Sequence, residues 1–155
     1  MGSMLDMPND KFDKVMNNNI KSNQILCNLV LPEMIERKDG SIIIISSIAA
    51  IKGSSILGAY NISKAADVMI VKNIAAEFGH KNIRANSIAP GLIKTDFAKA
   101  LWENPDILET VLSSTPMQRI GEPDEIAGVA VMLASDAGNY INGQTIVVDG
   151  GTTIS

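Results

Sequence analysis

Tyr60 and Lys64 stand four residues apart in the stretch Gly58-Ala-Tyr-Asn-Ile-Ser-Lys-Ala-Ala66. A free phenol titrates near about 10, so tyrosine alone is a poor acid or base at neutral pH. A lysine one helical turn further on shares its face, and the positive charge favours the phenolate, which brings proton transfer into the working range. Ser47 ends an apolar run upstream, and Asn19 lies on an earlier helical segment. A hydroxyl and a carboxamide therefore stand where a proton relay would use them. Two plainer readings remain beside this one: a Tyr-Lys neighbour pair on a helix surface, and a strand-end serine that caps the next turn.

The elements that must position these residues follow from periodicity. From Asn9 to about Arg37 apolar residues recur at a helical period through Phe12, Met16, Ile20, Cys27, Leu31 and Met34, widened by Val15, Leu26, Val30 and Ile35. This predicts a long, largely buried helix, with irregularity near Asn17-Asn-Asn19, a poor helix former, and near Pro32, which lacks a backbone donor. Ile42 to Ile45 is an unbroken apolar run, the pattern of a parallel strand covered on both faces. Ser47 would stand at its carboxyl edge, where open parallel sheets place ligands. A helix is expected from Gly58 to Phe78, a strand from Ile83 to Ala89, and a helix capped by Thr95 that runs through Phe97, Leu101 and Trp102 until Pro105 interrupts it. Another helix opens at Pro123 and runs to about Ala134. A last strand covers Gln144 to Val148. Alternating strands and helices mean an α/β fold, with no repeat or linker, as one domain over residues 1–155.

Bulk properties narrow the chemistry. With 13 basic and 17 acidic side chains, a net charge of −4 offers no basic stripe for nucleic acid or anionic lipid. The apolar stretch Ile42 to Ile51 is broken by Ser46 and Ser47 and is far shorter than the ~20 residues a membrane helix needs. No basic region precedes an apolar core at the N-terminus, so a cytoplasmic location is expected. The single cysteine, Cys27, has no disulfide partner and reads as a buried thiol. The single histidine, His80, reads as a solvated helix-end residue. One Cys and one His exclude a zinc centre of Cys and His ligands and a Ser-His-Asp hydrolase, and no metal site is expected.

The ordered motifs carry a resemblance. Ile45-Ser-Ser47 followed by Tyr60-Asn-Ile-Ser-Lys64 resembles the active site of the short-chain dehydrogenases/reductases. Asn19-Ile-Lys-Ser22 resembles the family's helical Asn motif, Arg84-Ala-Asn-Ser-Ile-Ala-Pro-Gly91 its strand leading to the nicotinamide, and Pro90-Gly-Leu-Ile-Lys-Thr95 its carboxamide-binding turn. Gly121-Glu-Pro123 and Val148-Asp-Gly-Gly151 resemble its closing helix and strand. The resemblance implies the C-terminal part of a Rossmann-like, doubly wound parallel sheet that moves hydride between NAD or NADP and a small carbonyl or secondary alcohol. It implies Tyr60 as general acid/base, with Lys64 favouring the phenolate and holding the cofactor ribose. Ser47 would bind the substrate oxygen, and Asn19 would position a water that links Lys64 to solvent. Pro90, Gly91, the Ile93 backbone and the Thr95 hydroxyl would fix the nicotinamide. After Thr95 the chain resembles a substrate lid, where Leu92, Phe97, Leu101 and Trp102 would line an apolar pocket or simply pack. The helices near 9–37 and 58–78 resemble those that pair in the family's homo-oligomers. The motifs suit carbonyl reductases, with 3-oxoacyl reductases as the alternative.

One departure is large. The twelve glycines contain no Gly-x-Gly-x-x-Gly, so the turn that would hold the pyrophosphate has no counterpart and nothing in the chain distinguishes NAD from NADP. The expectation is a catalytic half without the N-terminal strands, whose binding of a dinucleotide by itself is doubtful. A non-enzymatic fragment that only associates with full-length subunits is the alternative.

Overall fold

The computed structural model describes residues 4–155. Three parallel strands, β1 (Gly40–Ile45), β2 (Ile83–Pro90) and β3 (Thr145–Val148), lie in the order β1-β2-β3. Gly40 pairs with Ile83 and Ile45 with Ile88, while Ser87 pairs with Thr145 and Pro90 with Val148. All three carboxyl ends therefore fall on one side. The expected α/β architecture is present.

The long N-terminal segment is one continuous rod in three parts: α1 (Asn9–Met16), a π-helical turn over Asn17–Lys21, and α2 (Ser22–Arg37). The irregularity expected at the asparagines is this wider turn, in which the Ser22 hydroxyl donates to the Asn18 carbonyl. Pro32 does not interrupt α2; it lies on the exposed face, where the carbonyl it leaves unpaired meets water. α3 (Gly58–Phe78) follows a short 3-10 turn over Ile48–Ala50, and α6 (Pro123–Ala134) precedes β3. Between them lie the single turn α4 (Lys99–Trp102) and α5 (Pro105–Ser114).

The core forms where α2 and α3 meet one face of the sheet, with Cys27, Leu31, Ile42, Ile44, Val71, Ile74, Ile83 and Ala85 in contact. Burial pushes the Cys27 thiol up. α6 covers the other face, where Ser41 Oγ and the Arg84 guanidinium both donate to the Leu133 carbonyl. β2 is buried along nearly its whole length.

Two expectations about burial require correction. Only Cys27 and Leu31 of α2 are buried, whereas Leu26 and Leu29 are 59% and 71% exposed. The periodic stripe is wider than the face that β1 and α3 can cover. β1 is likewise not enclosed on both faces: Ile42 and Ile44 are buried, but Ile45 is 48% exposed. As the outer strand it has a neighbour on one side only. Among the described residues no helix is long and apolar enough to cross a membrane, and no group of three metal-ligating side chains gathers.

The entry to α6 is held by charge. Arg119 donates two bonds to the Glu125 carboxylate, at 2.6 and 2.8 Å, and the Glu122 backbone N–H donates to the same carboxylate at 2.8 Å. The Arg119 hydrogen bond, joined by that of the Glu122 N–H, lowers the Glu125 pKa to about 2. Because the folded-state value lies below the unfolded one, this contribution to stability is present above about pH 4.5 and is lost as pH falls toward 2. The gap in melting temperature between Glu125→Gln and the parent should therefore be largest at pH 6 and narrow sharply at pH 2.5. An equal gap at both values would show that the carboxylate's charge is not what holds the helix entry.

Candidate active site

The sheet's carboxyl edge is where the motif residues gather. Beyond β1, the Ser46 N–H extends the ladder to the Ile88 carbonyl at 2.7 Å, and the buried Ser46 hydroxyl donates to the Lys64 carbonyl at 2.8 Å. These two bonds fix the first turns of α3 over the end of the strand. Tyr60 and Lys64 then project from one face of α3, with the Lys64 Nζ 5.9 Å from the centre of the Tyr60 ring. The i, i+4 arrangement expected from the sequence is the one observed.

Asn19, in the π-helical turn, completes the group. Its Nδ2 donates to Ser63 Oγ at 2.9 Å, and Ser63 donates onward to the Tyr60 carbonyl at 2.8 Å. Asn19, Tyr60 and Lys64 line an open cleft of about 520 Å³ together with Lys14, Val15, Asn18, Ile45, Ser46 and Phe97. Three of the four residues that the sequence suggests for a proton relay are thus together at one cleft.

Ser47 sits at the same strand end but is not part of that lining. Its Oγ accepts the Ala49 N–H at 3.1 Å and caps the 3-10 turn, the plainer of its two readings. Because the hydroxyl acts there as an acceptor, its own O–H is still available as a donor.

The turn beyond β2 is shaped by close approach. A Cβ on Gly91 would meet the Asp149 Cα at 2.9 Å, and the Gly91 N–H donates to the Val148 carbonyl at 2.9 Å. Burial raises the Asp149 pKa, but hydrogen bonds from Thr153 and Gly151 outweigh it and hold the carboxyl below its ordinary value. Further on, Lys94 N–H donates to Gly121 and Gly121 N–H to Leu92, a short parallel bridge that leaves the Ile93 N–H and carbonyl outside the pairing. Leu92 and Ile93 line a separate cavity of about 110 Å³. The Thr95 hydroxyl accepts the Ala98 N–H at 3.3 Å, a turn preceding α4 rather than a helix cap. Trp102 Nε1 donates to the Thr95 carbonyl at 3.0 Å. Of the four apolar pocket residues, Phe97 alone borders the larger cleft, although it is 88% exposed; Leu101 and Trp102 line neither cavity.

Whether these residues suit a nicotinamide cofactor can be judged from their free donors. Lys64 spends two N–H groups on the Ile45 carbonyl and Asp67, both at 3.0 Å, and has a third to give. The Ile93 amide is unengaged by its bridge. These fit the nicotinamide and its ribose. The pyrophosphate has no corresponding cradle among the described residues.

The family described as enoyl-(acyl carrier protein) reductase matches residues 1–153. The chain belongs to the short-chain dehydrogenase/reductase family. Dehydrogenase/reductase SDR family member 4 of Bos taurus is 44% identical over 151 residues, covering 97% of this chain and 54% of that protein. A gluconate 5-dehydrogenase of Burkholderia cenocepacia in complex with NADP and tartrate superposes with a TM-score of 0.97 at 31% identity, over 99% of this chain and 60% of the other. A 7α-hydroxysteroid dehydrogenase complexed with NADH and 7-oxo glycochenodeoxycholic acid reaches 0.92 at 39% identity, over 97% and 59%. The chain spans about half the length of the curated relatives it matches.

Two residues at the site have contacts that the sequence motifs do not indicate. Ser46 rather than Ser47 ties the strand end to α3, and Asp67, with no exposed surface, holds Lys64. The signal for Asp67 is its position: an acidic residue three after Lys64, on the same face of an otherwise Ala-rich helix.

The tight turn gives a direct test. Gly91→Ala should lower unfolding free energy by about 1–3 kcal/mol, since the new methyl meets backbone rather than a movable side chain. Denaturant unfolding measures it, and an unchanged midpoint would mean that β2 and β3 do not approach as closely as the geometry shows.

Proposed function

We propose that this chain supplies the nicotinamide- and substrate-facing half of an NAD(P)-dependent oxidoreductase that interconverts a small carbonyl compound and its secondary alcohol, in the manner of carbonyl reductases. The observation that carries this reading is the cleft onto which Tyr60, Lys64 and Asn19 open together. The nicotinamide, when bound, donates or accepts the hydride. Tyr60 gives its phenolic proton to the substrate oxygen in reduction and takes it back in oxidation. Lys64 favours the phenolate by its charge and offers its remaining N–H to the ribose. Ser47, already accepting from Ala49, donates its O–H to the substrate oxygen. Asn19 holds the wide turn beside Lys64, where a water can carry protons to solvent. The Ile93 backbone and the Thr95 hydroxyl hold the carboxamide, with Pro90 and Gly91 shaping the turn. Leu92, Phe97, Leu101 and Trp102 belong to the segment that covers the substrate.

The partner is a second copy of the subunit. Ile25, Leu26, Leu29 and Val30 of α2 and Ile62 and Met69 of α3 are all exposed apolar residues, on the two helices that resemble the family's pairing elements. Their burial between subunits removes an apolar face that water otherwise covers.

Three measurements test the reading. With a dinucleotide-binding half supplied by joining the chain behind the N-terminal half of the Bos taurus relative, ketone-dependent oxidation of NADH or NADPH should appear. Tyr60→Phe should reduce it by about a thousandfold with the fold intact; activity within about tenfold of the parent excludes Tyr60 as the acid. The chain alone should bind neither dinucleotide at submillimolar concentration by calorimetry. In sedimentation, the chain should form dimers or larger assemblies that Leu26→Glu with Leu29→Glu dissociates. A parent that sediments as a stable monomer contradicts the assignment of that face.

A further inference from the structure

Outside the motifs of the proposed site, one buried charge has no role in the proton relay. Asp67 is completely buried in the middle of α3, in a chain whose other described acidic residues all lie at least partly exposed. Both carboxylate oxygens are engaged: Oδ2 accepts from Lys64 Nζ at 3.0 Å and Oδ1 from Asn23 Nδ2 at 2.8 Å. A buried carboxylate is tolerated where its lone pairs are satisfied in this way.

The contacts form a regular pattern. Asn19 reaches Ser63 and Asn23 reaches Asp67, four residues further along each helix. Two rungs therefore join the π-helical turn and α2 to α3, one beneath Tyr60 and one beneath Lys64. The second rung is charged, and it ends on the ammonium of the relay lysine.

An ammonium has three donors on a flexible stem, and its direction is set only by what holds it. Here Asp67 and the Ile45 carbonyl hold two of them, both at 3.0 Å. The Lys64 side chain is 14% exposed, and that exposure is toward the cleft it lines. We propose that Asp67, fixed by Asn23, is a positioning residue that aims the remaining N–H of Lys64 into the cleft; this rests on the reading of the site as a nicotinamide oxidoreductase. Asp67 does not border the cleft and touches no substrate. Its effect falls on the step that needs an oriented Lys64, not on substrate affinity.

The test has one readout that needs no cofactor. In the 15N-labelled chain, the Lys64 ammonium protons, held by two acceptors, should exchange slowly enough to give a distinct 1H–15N signal, assigned by its loss in Lys64→Met. The nearly isosteric Asp67→Asn should abolish that signal. In the completed protein it should lower kcat by about tenfold to a hundredfold, with the KM for the carbonyl substrate within about threefold of the parent. Should Asp67→Asn fail to fold, judged by circular dichroism, Asn23→Ala removes the outer support from a half-exposed position and should lower kcat several-fold at unchanged KM. A signal that persists in Asp67→Asn overturns the proposal. So does a lost signal with unchanged kcat, or an Asn23→Ala protein with the parent's kcat where Asp67→Asn does not fold. A parent with no turnover defeats the functional reading instead, while the ammonium signal still decides whether Asp67 holds Lys64.

Discussion

The ion pair between Asp67 and Lys64 is the constraint around which the site is arranged. Separating a carboxylate from its partner inside a protein costs about 3–5 kcal/mol, because the remaining charge cannot reach water. Asp67 has no exposed surface, and Lys64 has little. α3 must therefore keep the register that brings Lys64 over the end of β1, where Ile45 offers its carbonyl. Ser46 secures the same register from the strand side by donating to the Lys64 carbonyl. Backbone and side chain of a single lysine are thus tied to two adjacent residues of the sheet edge, Ser46 and Ile45. Tyr60, one turn earlier on α3, inherits its place from that attachment.

The asparagine-rich turn belongs to the same constraint. An ordinary helix through Asn17 to Lys21 would advance the chain by a different angle and carry Asn19 and Asn23 off the line of Ser63 and Asp67. The π-helical turn adds a residue locally, and both rungs meet their partners. Three poor helix formers in a row lower the cost of that widening. Their presence is a property of the site and not of the helix.

How far this was legible from the sequence depends on whether a signal was local. The strands and α3 were readable because an unbroken apolar run and a 21-residue periodic segment admit few alternatives. The Tyr60-Lys64 pairing and the gathering of Asn19 with it followed from spacing and motif. Exposure was not readable. The stripe on α2 and the run in β1 both specify apolar surface, but whether Leu26 or Ile45 is covered depends on which elements pack beside them, and a local pattern does not carry that. Asp67 was missed for a related reason: an acidic residue three after a lysine is an everyday surface pair unless one knows that the helix face is turned inward. Ser47 shows the converse, since its hydroxyl satisfies a local turn and a single residue type serves both readings.

The segment after β2 explains why one side of the site is firm and the other open. Gly91 lets the turn lie against Asp149, whose carboxylate is engaged by the N–H groups of Gly151 and Thr153. The end of β2 is thereby locked to the end of β3. Past the Ile93 bridge, the buried Ala98 and one indole support the segment: Trp102 donates to the Thr95 carbonyl and lies under the Lys94 ammonium, 5.8 Å from its ring. Phe97, between these anchors, has almost no protein contact and stands at the mouth of the cleft. Its ring carries apolar surface that no described residue covers in full. The rigid side of the site thus holds the groups that must be oriented, and the loosely tied side carries the apolar surface that a substrate would cover.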